Sequence, residues 1–199
     1  GLGSPDREVR VPPAAKPSPA ATPTAISLLH GKVTKVDSGD AFTALITDGS
    51  TERVRLVGID APDPDQVWGD KSYFALAALL NGKDVVIRFR GRDAYGRILG
   101  RVIADGKDVG LTQLTNGNAW YMKADAPQLT PPARKLYPAA EASAKKNRIG
   151  LWADPAPVSP WDFRKGTGAS ELKTFEEKSE VKQPDGFFGR VTSIFSGKS

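Results

Sequence analysis

The sequence predicts a mainly β protein with helices, of the α+β class: a five-stranded barrel with about three helices, flanked by irregular extensions. The first observation is the order of apolar segments, because five short strand-like segments occur with a helical segment inserted after the third. This is the order of a small closed barrel of the OB type and not of alternating βαβ units. The second is composition, since proline-rich and charged stretches confine the barrel to the middle of the chain.

Alternating apolar and polar residues mark the strands. Residues 28–36 and 41–47 have this pattern, and Asp48-Gly49 supplies a hairpin turn into a third strand at 53–57. Two more strands are predicted at 85–89 and 98–104, with a further extended piece at 119–123. The first three strands therefore form a meander, and the last two form a hairpin.

Helical spacing marks three segments. Residues 70–80 place Phe74, Leu76, Ala77 and Leu80 on a predicted apolar face and end at Asn81-Gly82, a sequence typical of helix termination. A short helix is predicted at 109–114 and a longer one at 133–147.

The domain boundaries follow from composition. Residues 1–25 hold six of the 16 prolines and few large apolar side chains, which favours an extended linker or arm. Residues 26–165 form the predicted domain, and the charges of the tail at 166–199 cancel. No apolar run reaches the roughly 18–20 residues that a transmembrane helix needs.

Composition also limits the chemistry. The chain has no cysteine and a single histidine, His30, which excludes thiolate zinc sites, iron–sulfur clusters, disulfides and histidine-cluster metal sites. Its 28 basic and 23 acidic residues give a net charge of +5, which permits an anionic partner without requiring one. Any metal site would be built from carboxylates and other oxygens.

Three polar clusters stand where predicted strands meet loops: DSGD at 37–40, RLVGIDAPD at 55–63 and DAYGR at 93–97. Each by itself is typical of an ordinary turn, because Asp bonds to its own backbone and Gly adopts positive φ. Together they supply hard oxygen ligands for calcium or magnesium and two arginines able to bind phosphate oxygens. These are the components of metal-assisted phosphodiester cleavage.

The ordered motifs VDSGDAF, RLVGIDAPD, DAYGRILGRV, NGNAW and AEASAKKNRIGLW resemble the staphylococcal nuclease (thermonuclease) family over roughly residues 27–160. The closing RIGLWADPAPVSPWDFRK is similar to the ending of many bacterial members. The resemblance implies an OB-fold and a calcium-dependent nuclease that does not distinguish between sugars. On the matching positions it makes Asp40 and Asp60 the calcium carboxylates, with the carbonyl of Ala61 as a further ligand.

The same resemblance assigns the catalytic and substrate-binding roles. Arg55 and Arg97 match the two phosphate-binding catalytic arginines, and Asp63 stands where the family has a glutamate that orients or activates water. Tyr95 matches a tyrosine beside the phosphates of the bound nucleotide, and Trp120 an aromatic side chain lining the pocket.

The sequence departs from the family pattern at three positions. Asp63 replaces a glutamate and is shorter by one C–C bond, about 1.5 Å. Ala41 replaces a threonine after the first metal carboxylate, and Met122 replaces a tyrosine of the nucleotide pocket. Such changes indicate an impaired or retuned nuclease.

A run of arginines adds a further candidate for nucleic-acid binding. Strand alternation would place Arg88, Arg90 and Arg92 on one face beside Arg97, as a track for phosphates or as a solvated strand face. We include Arg92 among the substrate-binding candidates.

Two functional hypotheses remain at this point. The first is a calcium-dependent endonuclease acting on single-stranded DNA or RNA, in which magnesium is an open alternative because both ions accept oxygen ligands. The second is a weakly active or inactive module of this fold that serves as a protein-binding or structural subunit of an envelope assembly, contacting its partner through the arm and tail. The proline- and alanine-rich arm favours an extracytoplasmic location, whether secreted, periplasmic or anchored through a removed N-terminal segment.

Overall fold

A computed structural model describes residues 25–166. Antiparallel hairpins dominate the order of elements, and four α-helices are inserted between or after them within the described residues. The strands are β1 (Ser27–Val36), β2 (Ala41–Ile46), β3 (Thr51–Leu56), β4 (Ile59–Asp60), β5 (Asp84–Arg92), β6 (Ile98–Ala104), β7 (Lys107–Asp108) and β8 (Trp120–Tyr121). The α-helices are α1 (Gly69–Leu80), α2 (Val109–Thr115), α3 (Pro131–Lys146) and α4 (Pro160–Arg164), with 3₁₀ turns at Lys123–Gln128 and Gly150–Ala153.

The predicted five-stranded barrel is confirmed. The sheet runs β3-β2-β1-β5-β6, and a parallel pairing of β3 with β6 joins its two ends. β7 extends the sheet beside β6, and β4 pairs with β8 in a separate two-stranded ribbon. Closure removes the free edges that an open five-stranded sheet would leave. The short strands β4 and β7 were not predicted, because two residues carry no alternation pattern.

Alternate residues of the barrel strands point inward and form the core. On β6, for example, every second residue from Ile98 to Ala104 is buried, so the predicted period of two is confirmed. The largest fully buried side chains include Phe42, Leu56 and Ile87, from three different strands. The barrel interior is therefore filled with side chains and is not a ligand cavity.

Capping residues set the helix boundaries. Thr130 accepts a hydrogen bond from the amide of Ala133, and prolines stand at the first positions of α3, so this helix begins two residues before the predicted 133. Asp108 caps α2 in the same way by accepting from the amide of Leu111 at 3.1 Å. Ser159 caps α4, a helix that was not predicted because its five residues are too few to show helical spacing.

One predicted core residue of α1 is wrong. Leu76 and Leu80 are fully buried, but Phe74 is 66% exposed. Tyr73, Leu76, Ala77 and Leu80 share the buried face at spacings of three and four, whereas Phe74 is rotated about 100° from Tyr73. The helical period was predicted correctly, and the single residue was assigned to the wrong side of it.

Nearly all of the predicted arm and tail lies outside the described residues, so the domain boundaries at 25 and 166 stay predictions. Among residues 25–166, no helix is both long enough and apolar enough to cross a membrane.

Candidate active site

The three polar clusters line a single cleft of about 480 Å³ at one end of the barrel. The cleft lies between the β1–β2 loop, the segment that follows β3, and the β5–β6 hairpin turn. Its lining includes eleven residues from these clusters and two from elsewhere: Ser38, Asp40, Arg55, Asp60, Ala61, Pro62, Asp63, Asp93, Ala94, Tyr95, Arg97, Met122 and Arg164. Turns that appeared ordinary when taken singly therefore share one surface.

Strand register explains the convergence. Ala41 pairs with Arg55 across β2 and β3, and the carbonyl of Asp40 accepts the amide of Leu56 at 2.8 Å, so Asp40 stands beside Arg55. The parallel pairing of Arg55 with Leu99 brings the start of β6, and with it Arg97, to the same end of the barrel. The pairing that closes the barrel thus also assembles the site.

Asp40 is buried and fixed by its neighbours. One carboxylate oxygen accepts the Ser38 hydroxyl at 2.7 Å, and the other accepts the Ala61 amide at 2.9 Å. The amide of Gln113 donates to the Gly39 carbonyl at 2.8 Å and anchors the loop from behind. These bonds hold the loop of the first cluster against the segment that carries Asp60.

Asp60 is buried deeper, with only 2% of its surface exposed. Burial raises the pKa of this carboxyl group above its ordinary range; hydrogen bonds from Arg164 oppose the rise, and the nearby Asp40 carboxylate adds to it. A buried carboxylate with a second carboxylate close by favours a bound cation, because a positive charge relieves both burial and repulsion.

Arg55 is held at the cleft by two bonds. Its Nη1 donates to Asp125 at 3.1 Å and its Nη2 to the carbonyl of Ile59 at 3.0 Å. Asp125 also accepts the amide of Gly58 at 2.9 Å, which ties the 3₁₀ turn to the end of β3. Both side chains are nearly buried, so the guanidinium has a defined position.

Arg97 stands on the other side of the cleft in the β5–β6 turn. Its Nε donates to Asp93 at 2.7 Å, and Asp93 also accepts the amides of Tyr95 and Arg97. Burial alone would raise the pKa of Asp93, but the bonds from Arg97 and from the two amides outweigh it and lower this pKa. Tyr95 is 79% exposed at the rim, with the Arg97 guanidinium 5.5 Å from its ring centroid.

Asp63 stands next to Asp60 and shares a partner with it. The guanidinium of Arg164, the last residue of α4, donates to both oxygens of Asp60 at 2.9 and 2.7 Å. It also donates to both oxygens of Asp63, at 2.9 to 3.2 Å. One arginine therefore bonds to two of the carboxylates to which the sequence assigns chemistry.

Comparison of the sequence with known proteins identifies its family. Residues 53–154 match the family described as staphylococcal nuclease homologue. The chain belongs to the staphylococcal nuclease family. An uncharacterized endonuclease of Escherichia coli is 36% identical over 137 residues, covering 68% of this chain and 85% of that protein. A micrococcal nuclease of Shigella flexneri is 34% identical over 147 residues, covering 69% and 82%.

Membership of the staphylococcal nuclease family supports a nuclease function and a nucleic-acid substrate. The departures from the family pattern have clear positions in the structure. Asp63 and Met122 line the cleft, whereas Ala41 is buried at the start of β2 beside Arg55. Two of the three departures thus affect surfaces that a substrate would touch.

Two of the predicted substrate-binding residues do not line this cleft. Trp120 packs edge-on against Trp152, with ring centroids 4.4 Å apart, and against Trp161 at 5.5 Å. Arg92 donates to both oxygens of Glu52 at 2.8 and 2.9 Å. A bulge in β5 between Phe89 and Gly91 also interrupts the alternation on which the predicted arginine track depended. Their roles in binding substrate stay predictions.

The carboxylates of the cleft supply part of the ligand set that a divalent cation needs. Within residues 25–166, no group of three or more His, Cys, Asp or Glu side chains could hold a metal ion by itself. Asp40 and Asp60 are linked through the Ala61 amide and supply two carboxylates. Calcium and magnesium accept carboxylate, carbonyl and water oxygens together, so these residues fit such an ion as part of a mixed ligand set.

The sequence did not mark two residues that the structure places at the site. Asp125 is 70 positions from Arg55 and belongs to a short 3₁₀ turn, so no local pattern connects them. Arg164 lies in the segment RIGLWADPAPVSPWDFRK, which is similar to the ending of many bacterial members of the family. That similarity assigned no function to this residue. Only the folded chain shows what these two side chains contact.

Proposed function

We propose that the protein is a calcium-dependent endonuclease that hydrolyses phosphodiester bonds of single-stranded DNA and RNA. One observation carries the proposal: the guanidiniums of Arg55 and Arg97 line the same cleft as the buried carboxylates Asp40 and Asp60. Positive groups for phosphate oxygens and oxygen donors for a cation are thereby combined within one site of substrate size.

The arginines bind the scissile phosphate and stabilise the charge that develops on it. Each is held by an acidic partner, Asp125 for Arg55 and Asp93 for Arg97, so each guanidinium is oriented before substrate arrives. Five N–H donors on each guanidinium allow a phosphate oxygen to be bound while part of that ion pair persists. Preorganised donors of this kind need little rearrangement during the reaction.

Asp40 and Asp60, with the carbonyl of Ala61, would hold the cation. When bound, the ion neutralises phosphate charge and polarises the P–O bonds. Asp63 orients, or accepts a proton from, the water that attacks phosphorus. As the new P–O bond forms, the bond to the leaving ester oxygen breaks, that oxygen takes up a proton from solvent, and Asp63 releases its own proton to solvent. Its short side chain places that oxygen close to the Asp60 end of the cleft, where Arg164 bonds to both residues.

Tyr95 supports a single-stranded substrate. Its ring is exposed at the rim of the cleft, where an unpaired base or sugar can pack against it. Stacking on an aromatic ring tolerates any base, because every base has a π-face. This arrangement fits cleavage with little sequence preference.

Purified protein incubated with denatured DNA, and separately with RNA, tests the proposal. We expect cleavage with calcium and none with chelator, and a loss of about 10²-fold or more in Arg97→Ala. Lys146→Ala is the matched control. It also removes one positive charge, but Lys146 lies at the end of α3 and does not line the cleft. Calcium binding without cleavage would contradict the nuclease proposal and favour the alternative of a protein-binding module.

An extracytoplasmic location belongs to the same proposal, because free calcium is more plentiful outside the cytosol. Fractionation of cells that express the full gene, followed by detection of the protein in each fraction, tests this part independently of activity.

A further inference from the structure

Arg164 bonds to Asp60 and Asp63 with an unusually complete set of contacts. Its Nη1 and Nη2 bind the two oxygens of Asp60 at 2.9 and 2.7 Å. Its Nε and Nη2 bind Asp63 at 2.9 to 3.2 Å. A planar guanidinium that engages two carboxylates through a double fork is among the stronger ion pairs that proteins form. The positive charge that these two side chains attract is thus already supplied by the chain itself.

The position of Arg164 is set by the anchored start of α4. The side-chain amide of Gln66 donates to the carbonyl of Val158 at 2.6 Å, just before the helix. Ser159 is buried and caps the helix, and Trp161 packs edge-on against Trp120 at 5.5 Å. Arg164 follows at the end of this anchored segment, and its own side chain is 48% exposed. The guanidinium can therefore leave the carboxylates without unfolding the helix.

A divalent ion and this guanidinium would compete for the same oxygens. Calcium binds carboxylate oxygens at about 2.3–2.6 Å, so an ion on the Oδ1 atom of Asp60 would stand within about 5 Å of Nη2. Positive charges at that distance in a partly buried site repel each other strongly. Since Arg remains protonated at all accessible pH values, only movement of the side chain relieves the repulsion.

We propose that Arg164 is a tethered competitor of the divalent cation, so that the end of α4 sets the calcium concentration at which the site becomes occupied. This inference rests on the cation-binding part of the proposed function and adds regulation of that same site. At low calcium the guanidinium neutralises Asp60 and Asp63, and at higher calcium the ion displaces it. The displaced arginine adds positive charge at the edge of the cleft, where a phosphate backbone would pass.

Calorimetric titration of calcium into nucleic-acid-free protein tests the competition. We expect Arg164→Gln to bind calcium about tenfold more tightly than the wild type, which is about 1.4 kcal/mol. Lys165→Gln is the matched control, because it removes the same charge one residue later, and within residues 25–166 the Lys165 side chain has no ion pair. The control should remain within twofold of the wild type. Equal or weaker binding by Arg164→Gln, or no binding by any of the proteins, would overturn the proposal.

Thermal unfolding gives a second measure that does not depend on the calorimetric signal. In chelator, Arg164→Gln should melt below the wild type, because Asp60 and Asp63 lose their counter-charge. Calcium should then raise the melting temperature of the variant by more than that of the wild type, since tighter binding stabilises the native state more. An equal rise in both proteins would overturn the proposal.

The two proposals fail in different ways. Cleavage by the wild type together with unchanged calcium affinity in Arg164→Gln overturns the competition and leaves the nuclease function standing. Tighter calcium binding by Arg164→Gln in a protein that cleaves neither DNA nor RNA supports the competition and contradicts the nuclease function.

Discussion

The Arg55 guanidinium lies 3.1 Å from the carboxylate of Asp125, across 70 residues of sequence. The same carboxylate accepts the amide of Gly58, directly after β3. Asp125 therefore fixes both the side chain that is to bind phosphate and the backbone turn that leads to Asp60. It is a positioning residue, because it acts on the reaction through Arg55.

We expect Asp125→Asn to lower kcat/KM about tenfold, since a guanidinium displaced by less than 1 Å loses part of its transition-state contact. The loss should appear in kcat more than in KM, because a loosely held Arg55 can still attract phosphate. The asparagine retains an oxygen acceptor for the Gly58 amide and should preserve the fold. Steady-state kinetics on a labelled oligonucleotide measure both constants, and an unchanged or higher kcat would show that Asp125 does not position Arg55.

Asp63→Glu restores the missing methylene at the position where the family has glutamate. Its carboxylate reaches about 1.5 Å farther into the cleft, toward the expected position of the attacking water. We expect kcat to rise about tenfold or more, and Asp63→Gln, of matched length but without charge, to fall below the wild type. If the glutamate variant is no faster than the wild type, Asp63 either works as it stands or does not take part in catalysis.

The Asp93–Arg97 pair predicts a pH dependence of stability. The pKa of Asp93 is lower in the folded protein than in the unfolded chain. Near pH 4 the unfolded chain therefore binds more protons than the folded protein does, and acidification favours unfolding. The stabilisation is fully present above the unfolded value of about 3.9 and is lost as pH falls through the folded pKa. Asp93→Asn should therefore be less stable than the wild type by about 1 kcal/mol at pH 7.

Below pH 4, acidification should bring the difference in unfolding free energy between the wild type and Asp93→Asn toward zero. Urea unfolding at several pH values between 2.5 and 7 measures it. A difference that stays constant with pH would mean that the ion pair contributes nothing beyond the hydrogen bonds that asparagine can also make.

The loop that carries Asp40 leaves no room for a side chain at Gly39. A Cβ there would meet the Ser72 hydroxyl oxygen of α1 at 1.8 Å and the Ala61 Cβ at 2.8 Å. We expect Gly39→Ala to lower the free energy of unfolding by about 1–3 kcal/mol and to move Asp40 away from the Ala61 amide. The affinity for calcium should fall as well, because Asp40 is one of the carboxylates proposed to hold the ion. Denaturant unfolding and calcium titration of the same sample check both effects, and a variant with native stability and affinity would contradict this account of the loop.

Much of the architecture follows from local patterns. The inward alternation on β6 and the spacing of Leu76 and Leu80 on α1 were readable because a period of two or 3.6 leaves its mark within ten residues. The cleft was predictable to the extent that barrel closure brings strand ends together. Asp40, Arg55, Asp60 and Arg97 all lie where that closure places them.

Contacts between distant segments could not be predicted in this way. Arg164 meets Asp60 across 104 positions through a five-residue helix, a distance over which no periodicity operates. Trp120 also depends on distant contacts: the resemblance matched it to a pocket-lining aromatic residue, the structure packs it against Trp152 and Trp161, and its role in binding substrate stays a prediction. A resemblance locates a residue in the chain, and its neighbours decide which surface it serves.

The most direct test of the central claim compares hydrolysis of a labelled single-stranded oligonucleotide by the wild type and by Asp60→Asn, with calcium and with chelator. We expect the wild type to cleave only with calcium, and Asp60→Asn to be slower by about 10³-fold, because it loses a buried carboxylate assigned to the cation. Cleavage that proceeds equally in chelator, or at the wild-type rate in Asp60→Asn, would contradict a nuclease site built on these carboxylates.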